Sequence, residues 1–466
     1  MRSKRLTYGC DVWQTVSMSS DKSSDTTHDL EFEKVMKDTK YEELVPNNWQ
    51  TLGAKQEVLL VMPRQKWGTK HMDVLYANQL MSESIALVNT LPTMKVIDSI
   101  MISTLDINKR KVFGSGNFEL LKNKVESNPR INGVVFSIDM LNSVQMSEME
   151  SQLGVDIYDR YSIVLNVFRY QANTKEAKLQ IALAEIPYIR NNLRVLETSR
   201  HTRQQGWMKT TGGSGDTLFE TRRQLLKDRE LKLTKLLDKI QSNRDILRVN
   251  REKKQMPVIA VIGYTNSGKT SLIKALTFDN RLVPRNQLFA TLDVTVHAGR
   301  LPSSLRVLYT DTIGFISEIP TSLIRSFRTT LSEISCADVI VHVLDVSHPN
   351  HQLHEQTVGK TLDEIKVPEK LRNTIIEVSN KVDLVEDKHS LQHSDRFLVS
   401  ATERIGLDEL TAAIEKQIII NTERLYKRLR VANGGQEYQW LYRESAIRET
   451  FQKFIHSFPD TFREIN

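Results

Sequence analysis

The residues best suited to chemistry form a glycine-rich loop in the second half of the 466-residue chain. The segment Gly-Tyr-Thr-Asn-Ser-Gly-Lys-Thr begins at residue 263, after an apolar run at 258–262 that predicts a buried strand and before a helix predicted over 271–276. Loop amides and a helix N-terminus in this order direct their N–H groups at one phosphate. The sequence therefore predicts a nucleotide site, in which Lys269 reaches the β- and γ-phosphates and the Thr270 hydroxyl binds Mg²⁺. The loop residues expected to bind nucleotide are Gly263, Tyr264, Thr265, Asn266, Ser267, Gly268, Lys269, Thr270 and Ser271.

Two later motifs indicate which nucleotide binds. Asp-Thr-Ile-Gly occupies 311–314 after a predicted strand at 307–309. There the Asp311 carboxylate can hold Mg²⁺ through water, and the Gly314 amide can sense the γ-phosphate. Asn-Lys-Val-Asp occupies 380–383 after a predicted strand at 374–378. Because Asp383 can accept two hydrogen bonds from guanine N1 and N2, donors that adenine does not pair in this way, the motif of Asn380, Lys381 and Asp383 predicts guanine specificity.

A third segment completes the predicted base site. Ser400 and Ala401 follow a predicted strand at 397–399 and fit the loop whose backbone amide faces the guanine carbonyl. The four motifs occur in this order on five strand-like segments. Residues needed only for the fold would not produce this pattern, so we interpret it as a nucleotide site.

Two residues near the phosphates bear on hydrolysis. Phe315 follows Gly314 at the position where related switches place a glutamine that orients water, and a phenyl ring cannot hydrogen-bond water. Slow intrinsic hydrolysis is expected. The Asn266 side-chain oxygen could help hold a monovalent cation that supplies positive charge to the nucleotide; the alternative is a hydrogen bond that only stabilises the loop.

The expected fold class is α/β. Alternating apolar and helical stretches predict strands at 58–62, 96–102 and 134–138 and helices at 72–91 and 118–125, which together indicate an N-terminal α/β domain at 55–175. A Ras-like P-loop GTPase domain is expected at 256–421 and a small C-terminal extension at 422–466. Residues 1–50 are polar and poor in patterned hydrophobic residues, so a disordered or targeting tail is expected there.

A helical hairpin is expected at 176–255, between the two domains. Apolar residues recur at helical spacing from 179 to 189, and Leu226, Leu233, Ile240 and Leu247 are spaced by sevens, which favours two long helices packed on each other. The intervening loop at 203–217 contains four glycines and is expected to reach into a partner, since a loop of this length cannot satisfy its backbone within its own domain.

The net charge of +7 is concentrated in the hairpin. Basic residues exceed acidic ones by nine between 190 and 254, so the rest of the chain is slightly acidic. The stretch is a candidate polyanion-binding surface, and the alternative is a solvated charged helix. The longest apolar runs are far shorter than the roughly 20 residues that cross a bilayer, so no membrane span is expected. Cys10 and Cys336 match no disulfide framework or zinc spacing, which favours a reducing compartment.

From about residue 57 to 415 the chain resembles the HflX family of translation GTPases. The resemblance rests on the phosphate loop from 263, Leu-Phe-Ala-Thr-Leu-Asp from 288, Asp-Thr-Ile-Gly-Phe-Ile from 311, the glycine-loop signature from 213, and Asp159-Arg160 in the N-terminal domain. Residues 439–442 resemble the animal mitochondrial branch of the family. The glycine-loop signature departs from the family pattern at Asp216, Arg222 and Gln224. These departures affect the expected contacts of the hairpin tip and leave the nucleotide motifs intact.

The resemblance implies a monomeric factor that binds the large ribosomal subunit and its rRNA, dissociates ribosomes and serves subunit assembly. It implies the mitochondrial matrix, with the cytoplasm as the alternative. It also makes Thr291 the switch threonine on Mg²⁺, in preference to Thr295, and Asn266 a potassium-associated residue. The expected catalytic residues are then Lys269, Thr291, Gly314 and Asn266, and the expected metal ligands are Thr270, Thr291 and Asp311. The alternative function is an RNA-binding assembly module in which GTP is a slow switch.

Substitution of Asp383 by asparagine is expected to weaken GTP binding by about 1 to 3 kcal/mol, because the two guanine donors lose their shared acceptor. Xanthosine triphosphate, which presents an acceptor where guanine has its amino group, should gain affinity for the same variant. Binding of GTP, ATP and xanthosine triphosphate to wild type and Asp383→Asn measures both effects. An unchanged order of affinities in the variant would contradict the assignment of Asp383.

Overall fold

The computed structural model describes residues 30–42, 44, 55–66, 71–104, 106–203, 214–253, 256–279, 281–284, 287–317, 323, 326–385, 396–425, 429, 431 and 435–444. Within them, two parallel-strand α/β units are connected by two long helices that pack on each other. The α/β fold class expected from the sequence is therefore confirmed, while the exact domain limits stay predictions.

The first unit is a four-stranded parallel sheet whose strands lie in the spatial order Met94–Thr104 (β2), Gln56–Gln65 (β1), Gly133–Phe136 (β3) and Asp156–Asp159 (β4). Strand β1 lies inside the sheet, and its residues 58–62 are all buried. Because both faces of the strand are covered, its sequence is a continuous apolar run. The three strands and two helices predicted for this unit are all present. The structure also contains strand β4 and a helix on either side of it, which were not predicted. The elements in chain order are α1 Thr39–Glu42, β1 Gln56–Gln65, α2 Val74–Asn89, β2 Met94–Thr104, α3 Ser115–Glu126, β3 Gly133–Phe136, α4 Ser143–Leu153, β4 Asp156–Asp159 and α5 Arg160–Gln171.

Helix α5 is fixed at its start by Asp159. The Asp159 carboxylate accepts the backbone N–H of Ser162 at 2.8 Å and that of Leu141 at 3.0 Å, so it caps α5 and also ties it to the preceding loop. Burial raises the pKa of Asp159 to about 7, and its hydrogen bonds from Ser162 and Leu141 oppose that rise.

The two long helices are α6 Lys175–Arg203 and α7 Ser214–Lys253. The apolar stripes expected from the sequence meet in a shared core. Its buried members include Leu179, Ala182, Ile186 and Ile189 on α6 and Leu226, Leu233, Leu236 and Leu237 on α7. The side chain of Leu247 and the hairpin tip at 204–213 lie outside the described residues.

Two expectations about this region are corrected by the structure. The loop was expected to extend to Thr217, but α7 begins at Ser214, and Asp216 in its first turn is a residue type that the helix dipole favours there. The tail was expected to have little structure up to residue 50, yet 30–36 and Thr39–Glu42 are helical. Tyr41 explains the second difference, because its ring lies 3.5 Å from the Arg229 guanidinium and its hydroxyl donates to Glu185 at 2.7 Å.

The second unit is a six-stranded sheet whose strands lie in the spatial order Phe397–Val399 (β10), Ile376–Asn380 (β9), Val339–Asp345 (β8), Val258–Gly263 (β5), Arg306–Asp311 (β7) and Thr295–Arg300 (β6). The sheet is parallel except for its last strand pair, β6–β7. Strand β5 lies between β8 and β7, so the loop at its carboxyl end opens into the crevice where ligands bind in such sheets. The elements are β5 Val258–Gly263, α8 Lys269–Thr277, β6 Thr295–Arg300, β7 Arg306–Asp311, α9 Arg328–Ser335, β8 Val339–Asp345, α10 His351–Ile365, α11 Glu369–Arg372, β9 Ile376–Asn380, β10 Phe397–Val399 and α12 Leu407–Asn421.

Helix α13, Gln436–Glu444, belongs to the C-terminal extension. Among the helices of the described ranges, none is long and apolar enough to cross a membrane.

Leu233→Ala is expected to lower the free energy of unfolding by about 2 to 5 kcal/mol, because the leucine is fully buried between the hairpin helices and its loss leaves a cavity. Leu231→Ala is the matched control, since Leu231 lies two residues away on the same helix and is 61% exposed. Denaturant unfolding of the full chain measures both. Equal losses for the two variants would show that the heptad-spaced residues do not hold the hairpin together.

Candidate nucleotide-binding site

The phosphate loop connects β5 to α8 in a tight, strained path. Gly268 has φ +93°, and a Cβ at this position would collide with the Asn380 side-chain amide. The buried Lys269 ammonium donates to the carbonyls of Gly263 at 3.2 Å and Tyr264 at 2.9 Å. Burial lowers the pKa of Lys269 to about 8, and the Asp311 charge opposes this shift. A bound phosphate would add negative charge beside the same group and favour its protonated form.

Asn380 connects the phosphate loop to the predicted base site. Its Nδ2 donates to the Ser267 carbonyl at 2.9 Å, and its Oδ1 accepts the Ala401 N–H at 3.2 Å. Lys381, with φ +65°, places its ammonium 2.6 Å from the Asp345 carboxylate at the end of β8. The ends of β5, β8, β9 and β10 are therefore held together by side chains of the Asn-Lys-Val-Asp motif.

The residues predicted to recognise the base lie at these strand ends. Asp383 lies in a 3₁₀ turn, Val382–Leu384, with an exposed side chain. Ser400 is fully buried, and its hydroxyl accepts the Glu403 N–H at 3.1 Å, which shapes the loop after β10. An exposed carboxylate beside a fixed loop is what edge recognition of a guanine base requires.

Three oxygen-bearing side chains meet beside the phosphate loop. The Asp311 carboxylate accepts the Thr270 hydroxyl at 2.7 Å and the Thr291 hydroxyl at 3.0 Å, and the two hydroxyl oxygens are 3.1 Å apart. Thr295 pairs with Asp311 across the β6–β7 ladder, but its hydroxyl is directed away from the carboxylate and lies 2.9 Å from the His297 ring. Burial raises the pKa of Asp311, while the hydrogen bond from Thr270 and the charge of Lys269 act in the opposite direction.

This group of oxygens fits a magnesium ion. Besides the shared hydrogen bonds, Asp311 Oδ1 and Ser267 Oγ are buried without a hydrogen-bond partner among the described residues. Such atoms need a cation, water or ligand, and carboxylate and hydroxyl oxygens are the ligands that Mg²⁺ prefers. Gly314 lies close to the loop, because a Cβ there would be 2.7 Å from Thr265 Cγ2 and 3.1 Å from Lys269 Nζ.

A cleft lies over the loop and is lined on one side by Pro284, Gln287 and residues 289–291. Asn266 is exposed and lines it, with φ +62°, a conformation that asparagine tolerates well. Four lining residues were not predicted from the sequence, namely Pro284, Gln287, Phe289 and Ala290. The last two belong to the family signature that begins at 288, and the first two precede it. The lining residues are Thr265, Asn266, Gly268, Lys269, Thr270, Ser271, Pro284, Gln287, Phe289, Ala290, Thr291 and Gly314.

Two residues next to the site turn their side chains away from the cleft. Tyr264 was expected among the nucleotide-binding residues, but only its backbone belongs to the loop, since its ring is buried and stacks on His354 with centroids 3.7 Å apart. Phe315 is also buried, and its backbone N–H donates to the Gly263 carbonyl at 3.2 Å. Its side chain therefore offers no polar group near the cleft.

The Ras-like sheet with its phosphate loop defines this part of the chain as a P-loop GTPase domain. Family models agree along the chain: "50S ribosome-binding GTPase" matches residues 258–381, "GTP-binding GTPase N-terminal" matches 78–169, and "GTP-binding GTPase Middle Region" matches 171–251.

Curated relatives assign the family. "Putative GTP-binding protein 6" of Xenopus laevis is 40% identical over 421 residues, covering 90% of this chain and 80% of the relative, and the Homo sapiens protein of that name is 41% identical, covering 84% and 76%. "GTPase HflX" of Caldanaerobacter subterraneus is 36% identical, covering 74% and 79%. The chain belongs to the HflX family of GTPases.

Thr291→Val is expected to reduce the Mg²⁺-dependent preference for a nonhydrolysable GTP analogue over GDP by about tenfold, because valine keeps the shape of threonine but removes a hydroxyl worth roughly 1 kcal/mol or more at a charged group. Thr295→Val is the matched control and should bind both nucleotides like wild type. Titrations with fluorescent nucleotides in Mg²⁺ and in chelator measure the preference. A loss for Thr295→Val with none for Thr291→Val would reverse the assignment.

Proposed function

We propose that this chain hydrolyses GTP and uses the GTP state to bind the large ribosomal subunit, dissociate ribosomes and act in recycling and subunit assembly. The observation that carries the proposal is the combination, in one chain, of a guanine-nucleotide site with a long helical hairpin that holds the local excess of positive charge. The family model named for 50S binding and the HflX relatives support it.

At the nucleotide, Thr270, Thr291 and Asp311 would hold Mg²⁺, which when bound neutralises charge on the phosphate oxygens. Lys269 stabilises the negative charge that develops on the phosphates, and the buried position keeps that interaction strong. We expect the Gly314 amide to sense the γ-phosphate, since Gly314 lies against the phosphate loop. Since the buried Phe315 cannot orient water, hydrolysis by the chain alone is expected to be slow and to require a partner.

The partner expected is ribosomal RNA of the large subunit. Arg223 and Lys227 are exposed near the start of α7, closest to the hairpin tip. Basic side chains in such a position bind phosphates and release counterions, so the affinity should fall steeply with salt. We place the protein in the mitochondrial matrix as a monomer, with the cytoplasm as the alternative; the resemblance of 439–442 to the animal branch supports the first.

One second function has a specific observation in its favour. The burial of Phe315 is compatible with an RNA-binding assembly module whose GTP state changes slowly and whose turnover matters little. The two functions differ in whether large subunits stimulate hydrolysis.

Intact ribosomes incubated with the protein and GTP, a nonhydrolysable analogue or GDP are expected to separate into subunits with the two triphosphates and not with GDP. Arg223→Gln combined with Lys227→Gln should weaken this effect and reduce the salt dependence of large-subunit binding by about two counterions. Lys360→Gln combined with Lys370→Gln, two exposed positions on the GTPase domain, is the charge-matched control and should behave like wild type.

Sucrose-gradient sedimentation measures separation, and GTP turnover in potassium or sodium salts, with and without large subunits, measures stimulation. Intact ribosomes in all three nucleotide states, together with equal turnover in every condition, would exclude the GTPase-driven function. Stimulation without separation would favour the assembly module. Stimulation confined to potassium would support the cation role of Asn266 over the loop-stabilising one.

A further inference from the structure

Helix α5 of the N-terminal domain begins with an arginine that reaches the GTPase domain. Arg160 is only 3% exposed, and its Nη2 donates to the Ser317 carbonyl at 2.8 Å and to the Glu83 carboxylate on α2. Its Nη1 donates to Ser84 Oγ at 3.2 Å. Ser317 lies three residues after Gly314, in the segment that follows the Mg²⁺-site aspartate. A buried, charge-assisted contact thus fixes this switch segment from outside the GTPase domain.

Tyr264 of the phosphate loop joins the same network. Its hydroxyl donates to the Glu83 carboxylate and accepts the Ser317 N–H at 2.8 Å. Burial and the Glu83 charge raise the pKa of Tyr264 well above its usual value, so the hydroxyl stays protonated and remains a donor. Glu83, Arg160, Tyr264 and Ser317 therefore connect the N-terminal domain to both the phosphate loop and the segment after Gly314.

The other end of α5 contacts the other switch segment. The Phe168 ring meets Phe289 edge-on with centroids 4.8 Å apart, and Gln171 Nε2 donates to the Leu288 carbonyl at 3.3 Å. Just beyond the helix, the Thr174 hydroxyl donates to the Asp293 carboxylate. Leu288 to Asp293 is the segment that carries Thr291. These contacts coexist with the arrangement in which Thr291 lies 3.0 Å from Asp311.

We propose that α5 is a positioning element for both switch segments, with Arg160 and Phe168 as its positioning residues. A helix rises 1.5 Å per residue, so α5 separates Arg160 from Phe168 by a fixed distance of roughly 12 Å along its axis. It can satisfy both contacts only when the two segments take up one relative arrangement. Because that arrangement places Thr291 at Asp311, α5 favours the triphosphate state over the diphosphate state.

The proposal rests on the guanine-nucleotide site but not on the ribosome. By linkage, a nucleotide that stabilises these contacts also stabilises the position of α5, with the same coupling free energy in both directions. A change of bound nucleotide would then change the position of α5 and, through their packing, the position of α6.

The test compares affinities of the purified full chain for GDP and for a nonhydrolysable GTP analogue in Mg²⁺. Phe168→Leu keeps an apolar side chain but removes the aromatic contact, and Arg160→Gln removes the charged contact at the other end. Each is expected to weaken analogue binding about tenfold while GDP affinity changes less than twofold, within the usual range of coupling between sites. Arg160→Lys, which keeps the charge, should recover part of the preference. Arg130→Gln, which breaks the surface pair with Glu57, is the control.

The ratio of the two affinities separates the possible roles. A merely structural role would weaken both nucleotides together, and that result, or a wild-type ratio in both Phe168→Leu and Arg160→Gln, overturns the proposal. If Arg160→Gln does not fold, Phe168→Leu alone decides, since it leaves no buried charge unpaired. Failure of the wild-type chain to bind guanine nucleotides would instead count against the proposed function, so the two failures are distinguishable.

Discussion

The burial of the Asp311 carboxylate is the constraint on which the rest of the nucleotide site depends. A carboxylate removed from water at the end of a central strand is costly unless other groups satisfy it. Its partners come from separate parts of the chain: Thr270 lies in the first turn of α8, and Thr291 belongs to the segment before β6. Satisfying one side chain therefore brings the phosphate loop and a switch segment together, and the positive charge of Lys269 lies beside the same group.

The packing of α5 extends this constraint beyond the GTPase domain. Tyr161 stacks on Tyr188 of α6 with ring centroids 5.7 Å apart and planes 4° from parallel, and its hydroxyl donates to the Ala184 carbonyl at 2.7 Å. Arg244 of α7 pairs with Glu176 of α6 at 2.6 Å and approaches Glu333 of α9 at 3.7 Å. The hairpin thus contacts the N-terminal domain through aromatic packing and the GTPase domain through a partly exposed ion pair.

Local patterns in the sequence were enough for the strands that read as apolar runs, the phosphate loop and the hairpin stripes, because each depends on residues close in sequence. Strands β4 and β6 were not predicted, since neither is an apolar run. The side-chain direction of Tyr264 was not predictable in this way, since it is decided by Glu83, about 180 residues earlier. Arg160 gave a partial signal as part of the Asp159-Arg160 pair, yet only the fold brings it to Ser317. The helical segment near Tyr41 was not predicted, because the surrounding sequence is polar. What holds the segment is one aromatic residue that contacts the distant Arg229.

The charge of the hairpin must be divided between structural and exposed residues before it is assigned to RNA. Arg190 pairs with Glu230 at 2.7 Å, Arg244 pairs with Glu176, and Arg229 is buried against Tyr41. These basic residues hold helices together, and their charge is largely matched within the protein. Exposed side chains such as Lys232 and Lys235 have a different role, since surface ion pairs of lysine add little to stability and leave the ammonium available to solvent and polyanions. The proposed polyanion-binding surface is therefore smaller than the net charge of the segment indicates, and it would lie on the outer faces of α7 rather than in the seam between the helices.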